Sequence, residues 1–246
     1  MASSRSTLPH VIYINLDSRT DRRALIEAEL ARIGWEDHQI TRFPALRHPT
    51  SNGAACNFSH AAALRVAHEK NLEHVLILED DFHFVRPQEE VREALASFHA
   101  EMEKGGGCGR GVWDALLLGP CMYGGGSHTE PHSSLLRRCI RSTDASAYMV
   151  ARHVMLPLSE TIEEAAHQMA ATDKHWLYQN DVVWQRFMQD GAWFCLERYL
   201  GFQRPGFSNL SSKFVDYTPS DRRPPILPTS RRCEAKGAEG TPILPT

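Results

Sequence analysis

Short apolar runs rich in β-branched residues alternate with longer amphipathic stretches, and this alternation constrains the fold more than any other feature of the sequence. The first run is HVIYINLD (10–17), and the stretch SRTDRRALIEAELARIG (18–34) follows it with apolar residues on one helical face. Apolar runs of about four to eight residues are typical of buried strands. This segment therefore predicts one β–α unit, with Thr20 or Ser18 as the helix cap and Gly34 as the stop.

The same alternation continues along the chain. Further strands are predicted at ITRFPAL (40–46), HVLILEDD (74–81), WDALLLG (113–119), ASAYMVA (145–151) and AWFCLE (192–197). Further helices are predicted at NFSHAAALRVAHEKN (57–71), RPQEEVREALASFHAEMEKGGG (86–107), HVMLPLSETIEEAAHQMA (153–170) and NDVVWQRFMQDG (180–191). Asn57 or Ser59 is the expected cap of the first of these helices, Pro87 lies in the first turn of the second, Gly105 ends it, and Pro157 interrupts or starts the third. The pattern predicts an α/β fold with a mostly parallel central sheet and helices on both faces.

The length of 246 residues favours a single large domain, which we expect over residues 1–217. Proline and charged residues dominate residues 218–246, so this stretch is expected to be a disordered or loosely attached tail. The Gly-rich run GPCMYGGGSHTEPHSS (119–134) suits either a mobile loop beside a site or an ordinary surface connection.

Charge and cysteine usage exclude several classes of protein. The chain carries 27 basic and 30 acidic residues without a basic block, so no nucleic-acid partner is expected. No run of about 20 apolar residues predicts a transmembrane segment, and the first residues lack a secretory signal, so a cytoplasmic protein is expected. The six cysteines show no CxxC pair and no metal-ligand spacing, which favours a reducing compartment and predicts neither a zinc site nor a disulfide framework.

Three consecutive carboxylates, Glu79, Asp80 and Asp81, end the apolar run VLIL. In an extended segment Glu79 and Asp81 share one face, where two carboxylates can bind Mn²⁺ or Mg²⁺ together with substrate phosphates. Alternatively, the three acids lie in a solvated loop before the following helix. The position at a strand end favours the metal site, because α/β sheets place their sites beyond the carboxyl ends of their strands.

The common nucleotide-binding and hydrolase motifs are absent. The first strand ends without a G-x-G-x-x-G turn, GGGCGRG (105–111) lacks the preceding strand and the Gly-Lys-Ser/Thr ending of a phosphate loop, and no G-x-S-x-G is found. Dinucleotide-binding, P-loop and α/β-hydrolase functions are therefore not predicted.

Three segments in order, VIYINLDSRTDRR, GAACNFSHAAALRVA and HVLILEDDFHF, resemble the signature of glycosyltransferase family 25, which includes collagen and bacterial lipooligosaccharide galactosyltransferases. LLLG, STDASAYMVARH, NDVVW and FQRPGFSNL are similar to its later landmarks, so the resemblance spans about residues 10–210. It implies a GT-A-type nucleotide-diphospho-sugar transferase fold, a UDP-sugar donor, a divalent ion that is usually Mn²⁺, and inversion at the anomeric carbon. The site residues implied are, for donor binding, Asn15, Arg19, Arg22, Ser59, His60 and Asp80, and for the metal, Glu79 and Asp81.

The sequence departs from the family pattern at two places. Ala55-Cys56 stands where the family usually has Gly-Cys, so the backbone there is expected to differ. Ser208-Asn209 replaces the usual Ser-Asp, which weakens the expectation of a charged ligand at that position.

An inverting transfer needs a base for the acceptor hydroxyl and a cation for the leaving diphosphate. Asp181 matches an aspartate that the family carries and is the first choice for the base, although it is also suited to capping a helix. Asp144 is the second choice. The expected activity is transfer of a hexose, galactose or glucose, to a hydroxyl of a glycan or protein acceptor.

Two other functions remain open from the sequence. A metal-dependent phosphohydrolase also uses acids at a strand end, but Asp17-Ser18-Arg19 does not supply its usual pair of aspartates. A catalytically degenerate module that binds a nucleotide-sugar is the non-enzymatic alternative, and the intact acidic triplet argues against it.

Overall fold

A computed structural model describes residues 8–104, 113–119, 128–210 and 212–218. Its strands are β1 (His10–Asn15), β2 (Ile40–Pro44), β3 (His74–Glu79), β4 (Phe82–Phe84), β5 (Ala115–Leu117), β6 (His128–Pro131), β7 (Leu136–Arg141), β8 (Ala147–Ala151), β9 (Trp193–Leu196), β10 (Gly201–Gln203), β11 (Gly206–Ser208) and β12 (Lys213–Val215). Its helices are α1 (Thr20–Ile33), α2 (Asn52–Glu69), α3 (Gln88–Lys104), α4 (Arg152–Thr172), α5 (His175–Tyr178), α6 (Asn180–Val183) and α7 (Gln185–Asp190), with a 3-10 turn at Asp37–Gln39.

Within the described residues, eight strands form one sheet in the order β2-β1-β3-β8-β5-β9-β7-β6. The strand β1 is parallel to β2 and β3, and β5 is parallel to β9. The strands β8 and β7 run antiparallel to their neighbours, so the other six of the eight point the same way. The predicted α/β class with a mostly parallel central sheet is confirmed.

Helices cover both faces of this sheet, as the sequence predicts. Along β1 the side chains of Val11 and Tyr13 enter the core under α1 and α3, whereas Ile12 and Ile14 enter the core under α2 and α4. Successive residues of a strand point to opposite faces, and both faces of this sheet are covered, so all four residues are buried. This double burial explains why the strand reads as a continuous apolar run.

The helix α2 begins earlier than the sequence indicates. Its cap is Ser51, whose Oγ accepts a hydrogen bond from the backbone N–H of Ala54 at 3.2 Å, so the prediction of Asn57 or Ser59 as the cap was wrong. Gly53 lies in the added first turn, where a Cβ would stand 2.4 Å from Sδ of Met169 in α4. Any larger residue at position 53 would therefore force the Met169 side chain to move.

Other predicted boundaries have mixed outcomes. Gly34 ends α1 with a φ of 91°, as predicted, but neither Thr20 nor Ser18 caps this helix through its side chain. Pro157 lies inside α4 without breaking it, so its predicted role was wrong. The hairpin of β6 and β7 begins in a segment that was predicted to be a loop.

None of the helices in the described ranges combines the length and the apolarity needed to cross a membrane. Gly105 as a helix stop, residues 120–127 of the Gly-rich run and residues 219–246 of the predicted tail lie outside those ranges.

Candidate active site

The acidic triplet meets the end of the first strand at one edge of the sheet. Because β1 and β3 are parallel neighbours, with Ile14 opposite Glu79, their carboxyl ends lie side by side. Asn15 ends β1 and is 1% exposed, and its Nδ2 donates to Oδ2 of Asp80 at 2.7 Å. Asp80 therefore points towards the first strand and joins the two strand ends.

Two arginines of the first motif connect this edge to the C-terminal part of the chain. Arg22 Nη1 donates to Asp80 Oδ1 at 3.0 Å and to Asp81 Oδ2 at 2.7 Å, while its Nη2 donates to the carbonyl of Phe207 at 2.8 Å. Arg19 donates from Nη1 to Oδ1 of Asn209 at 2.8 Å. Asn209, where the resembled family usually has aspartate, thus supplies an acceptor for arginine.

Glu79 ends β3, and Asp80 and Asp81 form the turn that leads into β4, so the extended segment that was expected through Asp81 ends at Glu79. Gln203 Nε2 lies 2.9 Å from Glu79 Oε2 and 3.4 Å from Asp81 Oδ1, so one donor atom stands within reach of both carboxylates. A cation that took the place of this amide nitrogen would lie between the two carboxylates. Mg²⁺ and similar ions use one or two carboxylates and complete their shell with water or phosphate oxygens, so this pair fits a hard divalent cation.

The electrostatics of the triplet also favour a bound cation. Burial and the negative charges of Glu79 and Asp80 raise the pKa of Asp81 to about 7, against the opposing effect of Arg22. Burial raises the pKa of Asp80 as well, although Asn15 and Arg22 stabilise its charged form. One guanidinium does not offset three adjacent acids in this position, so added positive charge would stabilise the site.

A second pair of carboxyl groups, Asp181 and Asp144, lies close to the triplet. The backbone N–H of Asp144 donates to Asp181 Oδ2 at 3.1 Å, and Asp144 Oδ1 accepts from the backbone N–H of Ser146 at 2.9 Å. Asp181 Oδ1 is buried and has no hydrogen-bond partner among the described residues. The Asp181 carboxylate therefore keeps one oxygen unengaged, and it does not cap the helix α6.

Both members of this pair have raised pKa values. Burial is the main cause for each, and the charge of Glu79 adds to it. The pKa of Asp144 rises to about 7, and Asp144 has a φ of 84°, a region that few residues other than glycine, asparagine and aspartate adopt. A buried carboxyl group with a pKa near neutrality is suited to taking up a proton.

The Ser-His pair lies on α2 and turns inwards. Ser59 is 1% exposed, and its Oγ donates to the carbonyl of Ala55 at 2.7 Å and accepts from the N–H of Leu46 at 2.9 Å, so it holds the segment after β2. His60 contacts Tyr148 Oη through Nδ1 at 3.0 Å and Glu79 Oε1 through Nε2 at 3.3 Å. Only His60 of the pair thus reaches the acidic cluster.

Ala55-Cys56, where the resembled family usually has Gly-Cys, lies inside α2, where alanine is favourable, so no glycine conformation is needed. Cys56 itself was expected to have no metal-ligating neighbours. The structure places its Sγ with His60 and Glu79, all three ligand atoms within 4.8 Å of one another. The four-residue spacing of Cys56 and His60 on a helix was the signal that the sequence offered.

The sequence did not indicate Gln203 or Tyr148, since both reach the site only through the fold. The C-terminal segment approaches closely enough that the charges of Glu79, Asp144, Asp81 and Asp181 help to raise the pKa of Tyr217, after burial. The site therefore draws on β1, α1, α2, β3, β8, α6 and the last strands.

Comparison with known proteins gives little beyond this geometry. No protein-family model and no curated protein matches the sequence. One similar solved structure, described as mannose-1-phosphate geranyltransferase from Thermus thermophilus, has a TM-score of 0.42 at 14% identity, over 78% of this chain and 73% of that one. Another, described as a glycosyltransferase involved in glycosylation of the major capsid of PBCV-1, has a TM-score of 0.46 at 10% identity, over 75% and 79%. The function is therefore inferred from the site.

Proposed function

We propose that this protein is a metal-dependent, inverting glycosyltransferase that transfers a hexose, galactose or glucose, from a UDP-sugar to a hydroxyl of a glycan or protein. The observation that carries the proposal is the convergence of Glu79 and Asp81 on one point at the carboxyl end of β3. Ligands of open α/β sheets bind beyond such strand ends. A GT-A-type fold and membership of family 25 are part of the proposal, and the ordered motifs support them.

Glu79 and Asp81 would hold Mn²⁺ or Mg²⁺, with Gln203 turning aside or presenting its amide oxygen. A bound divalent ion would stabilise the negative charge that develops on a leaving diphosphate. Arg19 pairs with Asp21, and Arg22 pairs with Asp80 and Asp81, so these two guanidinium groups could donate to an anionic donor only together with the added charge of a cation. Asp80 accepts hydrogen bonds from Asn15 and from Arg22, and it thereby holds Arg22 beside the ends of β1 and β3.

Asp181 is the proposed base. Its Oδ1 has no hydrogen-bond partner among the described residues, while Oδ2 is fixed by the backbone N–H of Asp144. A carboxylate held by one oxygen, whose other oxygen is buried and unpaired, can take the proton of an acceptor hydroxyl that reaches it. Asp144 has Oδ1 engaged with Ser146, which makes it the second choice and favours a role in orienting Asp181.

A donor screen tests this proposal. The full chain is incubated with Mn²⁺ and UDP-hexoses, with and without sugar or peptide acceptors, and nucleotide release and glycosylated product are measured. We expect nucleotide release that EDTA abolishes, and a product only when an acceptor is present. Release of inorganic phosphate from a phosphate ester would indicate a phosphohydrolase, and donor binding without release would indicate a degenerate module.

The variant Asp81→Asn is expected to fold normally and to lose at least about 100-fold of the Mn²⁺-dependent rate, because a carboxylate ligand is replaced by a neutral amide. The matched control is Asp190→Asn, since Asp190 is exposed at the end of α7 and is not part of the acidic cluster. Equal activity of the two variants would reject the metal assignment.

A further inference from the structure

A second group of ligand atoms lies next to the proposed hard-metal pair. Cys56 and His60 are four residues apart on α2 and present one face to Glu79 at the end of β3. Among the described residues, Cys56, His60 and Glu79 bring one sulfur, one nitrogen and one oxygen atom within 4.8 Å of one another. A thiolate, an imidazole and a carboxylate with an open fourth position are a ligand set that Zn²⁺ accepts.

His60 is oriented for this purpose by Tyr148. The imidazole is 1% exposed, its Nδ1 lies 3.0 Å from Tyr148 Oη, and the two rings stack at a centroid distance of 5.8 Å. A histidine that ligates metal through one nitrogen usually donates its other N–H to a fixed oxygen. With the proton on Nδ1, the lone pair of Nε2 points to Glu79 and is available to a metal.

The charges around Cys56 favour a dication as well. The charged groups that act on the Cys56 thiol are the carboxylates of Glu79, Asp181 and Asp81, and all three are negative. A metal ion would replace the thiol proton, which passes to solvent, and would supply the positive charge that these neighbours lack.

We propose that Cys56, His60 and Glu79 form a Zn²⁺ site distinct from the Glu79–Asp81 pair, and that the two metals compete because both need Glu79. Thiolate and imidazole ligands select Zn²⁺ over Mn²⁺, which prefers oxygen ligands and binds more weakly to mixed sites. Zn²⁺ therefore inhibits the Mn²⁺-dependent reaction. This inhibitory consequence rests on the proposed function, whereas the binding itself does not.

Co²⁺ titration of the metal-free full chain tests the binding without any activity assay. Cobalt takes the place of zinc, and a thiolate ligand gives it an intense near-ultraviolet charge-transfer absorption. We expect this absorption to saturate at about one equivalent, to disappear on addition of Zn²⁺, and to be lost in Cys56→Ser and weakened at least about tenfold in affinity in His60→Ala.

Cys233→Ser is the matched control, since it removes a thiol elsewhere in the sequence. Circular dichroism establishes that each variant is folded. An unchanged absorption in Cys56→Ser, or the absence of absorption in the natural chain, would overturn the proposal.

The inhibitory consequence is measured separately. Transfer is assayed at fixed Mn²⁺ with increasing Zn²⁺, and each variant is compared with its own zinc-free rate. The concentration of Zn²⁺ that halves the rate is expected to rise about 10-fold to 100-fold in Cys56→Ser and to stay unchanged in Cys233→Ser. If Cys56→Ser is inhibited as strongly as the natural chain, Zn²⁺ acts elsewhere and the competition is refuted. If no transfer is found, only the proposed function fails, because the cobalt titration stands alone.

Discussion

The substitution Asp144→Asn measures how much the buried negative charge of Asp144 destabilises the protein. Asparagine removes this charge and has nearly the same size and shape as aspartate. Asparagine retains the oxygen that accepts from the N–H of Ser146, and it tolerates the φ of 84° at this position. The backbone N–H of residue 144 still donates to Asp181. The variant should therefore fold as the natural chain does.

The magnitude follows from the pKa of Asp144, which rises from 3.8 to about 7 on folding. A rise of about three units at ~1.4 kcal/mol per unit gives an upper limit of ~4 kcal/mol for the cost of ionising this group in the folded state. A carboxyl whose pKa is raised by folding stabilises the protein fully below its unfolded pKa, and this stabilisation is lost as the pH rises through the folded pKa. The loss therefore extends over pH 3.8 to 7.

Urea unfolding in EDTA at several pH values measures this effect. We expect the free energy of unfolding of Asp144→Asn to exceed that of the natural chain by about 2–4 kcal/mol at pH 8, and the difference to vanish near pH 4. With a urea m-value of about 2 kcal/mol/M, the midpoint would shift by about 1–2 M. A difference that is the same at both pH values, or a variant less stable at pH 8, would refute the electrostatic argument.

Two further predictions concern the base and a helix cap. Asp181→Asn is expected to slow transfer by about 10²-fold to 10⁴-fold while the dissociation constant for UDP, measured by calorimetry, stays within about threefold; lost UDP binding would remove Asp181 from the role of base. Ser51→Ala is expected to lower the free energy of unfolding by about 0.5–2 kcal/mol, because the N–H of Ala54 loses its acceptor, and an unchanged urea midpoint would contradict the cap.

The sequence predicts those parts of the fold whose signal is local. The strand residues Val11 to Ile14 read as apolar because both faces are buried, and Gly34 ends α1 because only glycine adopts its φ readily. The start of α2 was missed because Gly53 disfavours a helix locally. The sequence does not show that position 53 packs against Met169 of α4, where a small residue fits. The strand β6 was missed since HTEP has neither apolar alternation nor β-branched enrichment, as its exposed edge position allows.

Some residues of the candidate site also have a local signal in the sequence, and others have none. Glu79, Asp80 and Asp81 stand out because three acids follow an apolar run. Gln203 carries no such signal, since it lies 124 residues from Glu79 and reaches it only when β10 pairs with β4. Tyr148 is likewise indistinguishable in sequence from any other aromatic residue of a buried strand.

The bond from Arg22 to the carbonyl of Phe207 joins groups 185 residues apart, and this separation has a consequence for biosynthesis. A ribosome adding about 5–20 residues per second needs roughly 10–40 s to make the intervening chain. Before β10 and β11 are made, Glu79 lacks Gln203 and Arg22 lacks the carbonyl of Phe207. Gln203 and Phe207 would therefore join the acidic cluster only after synthesis has passed residue 207, long after the acids themselves have been made.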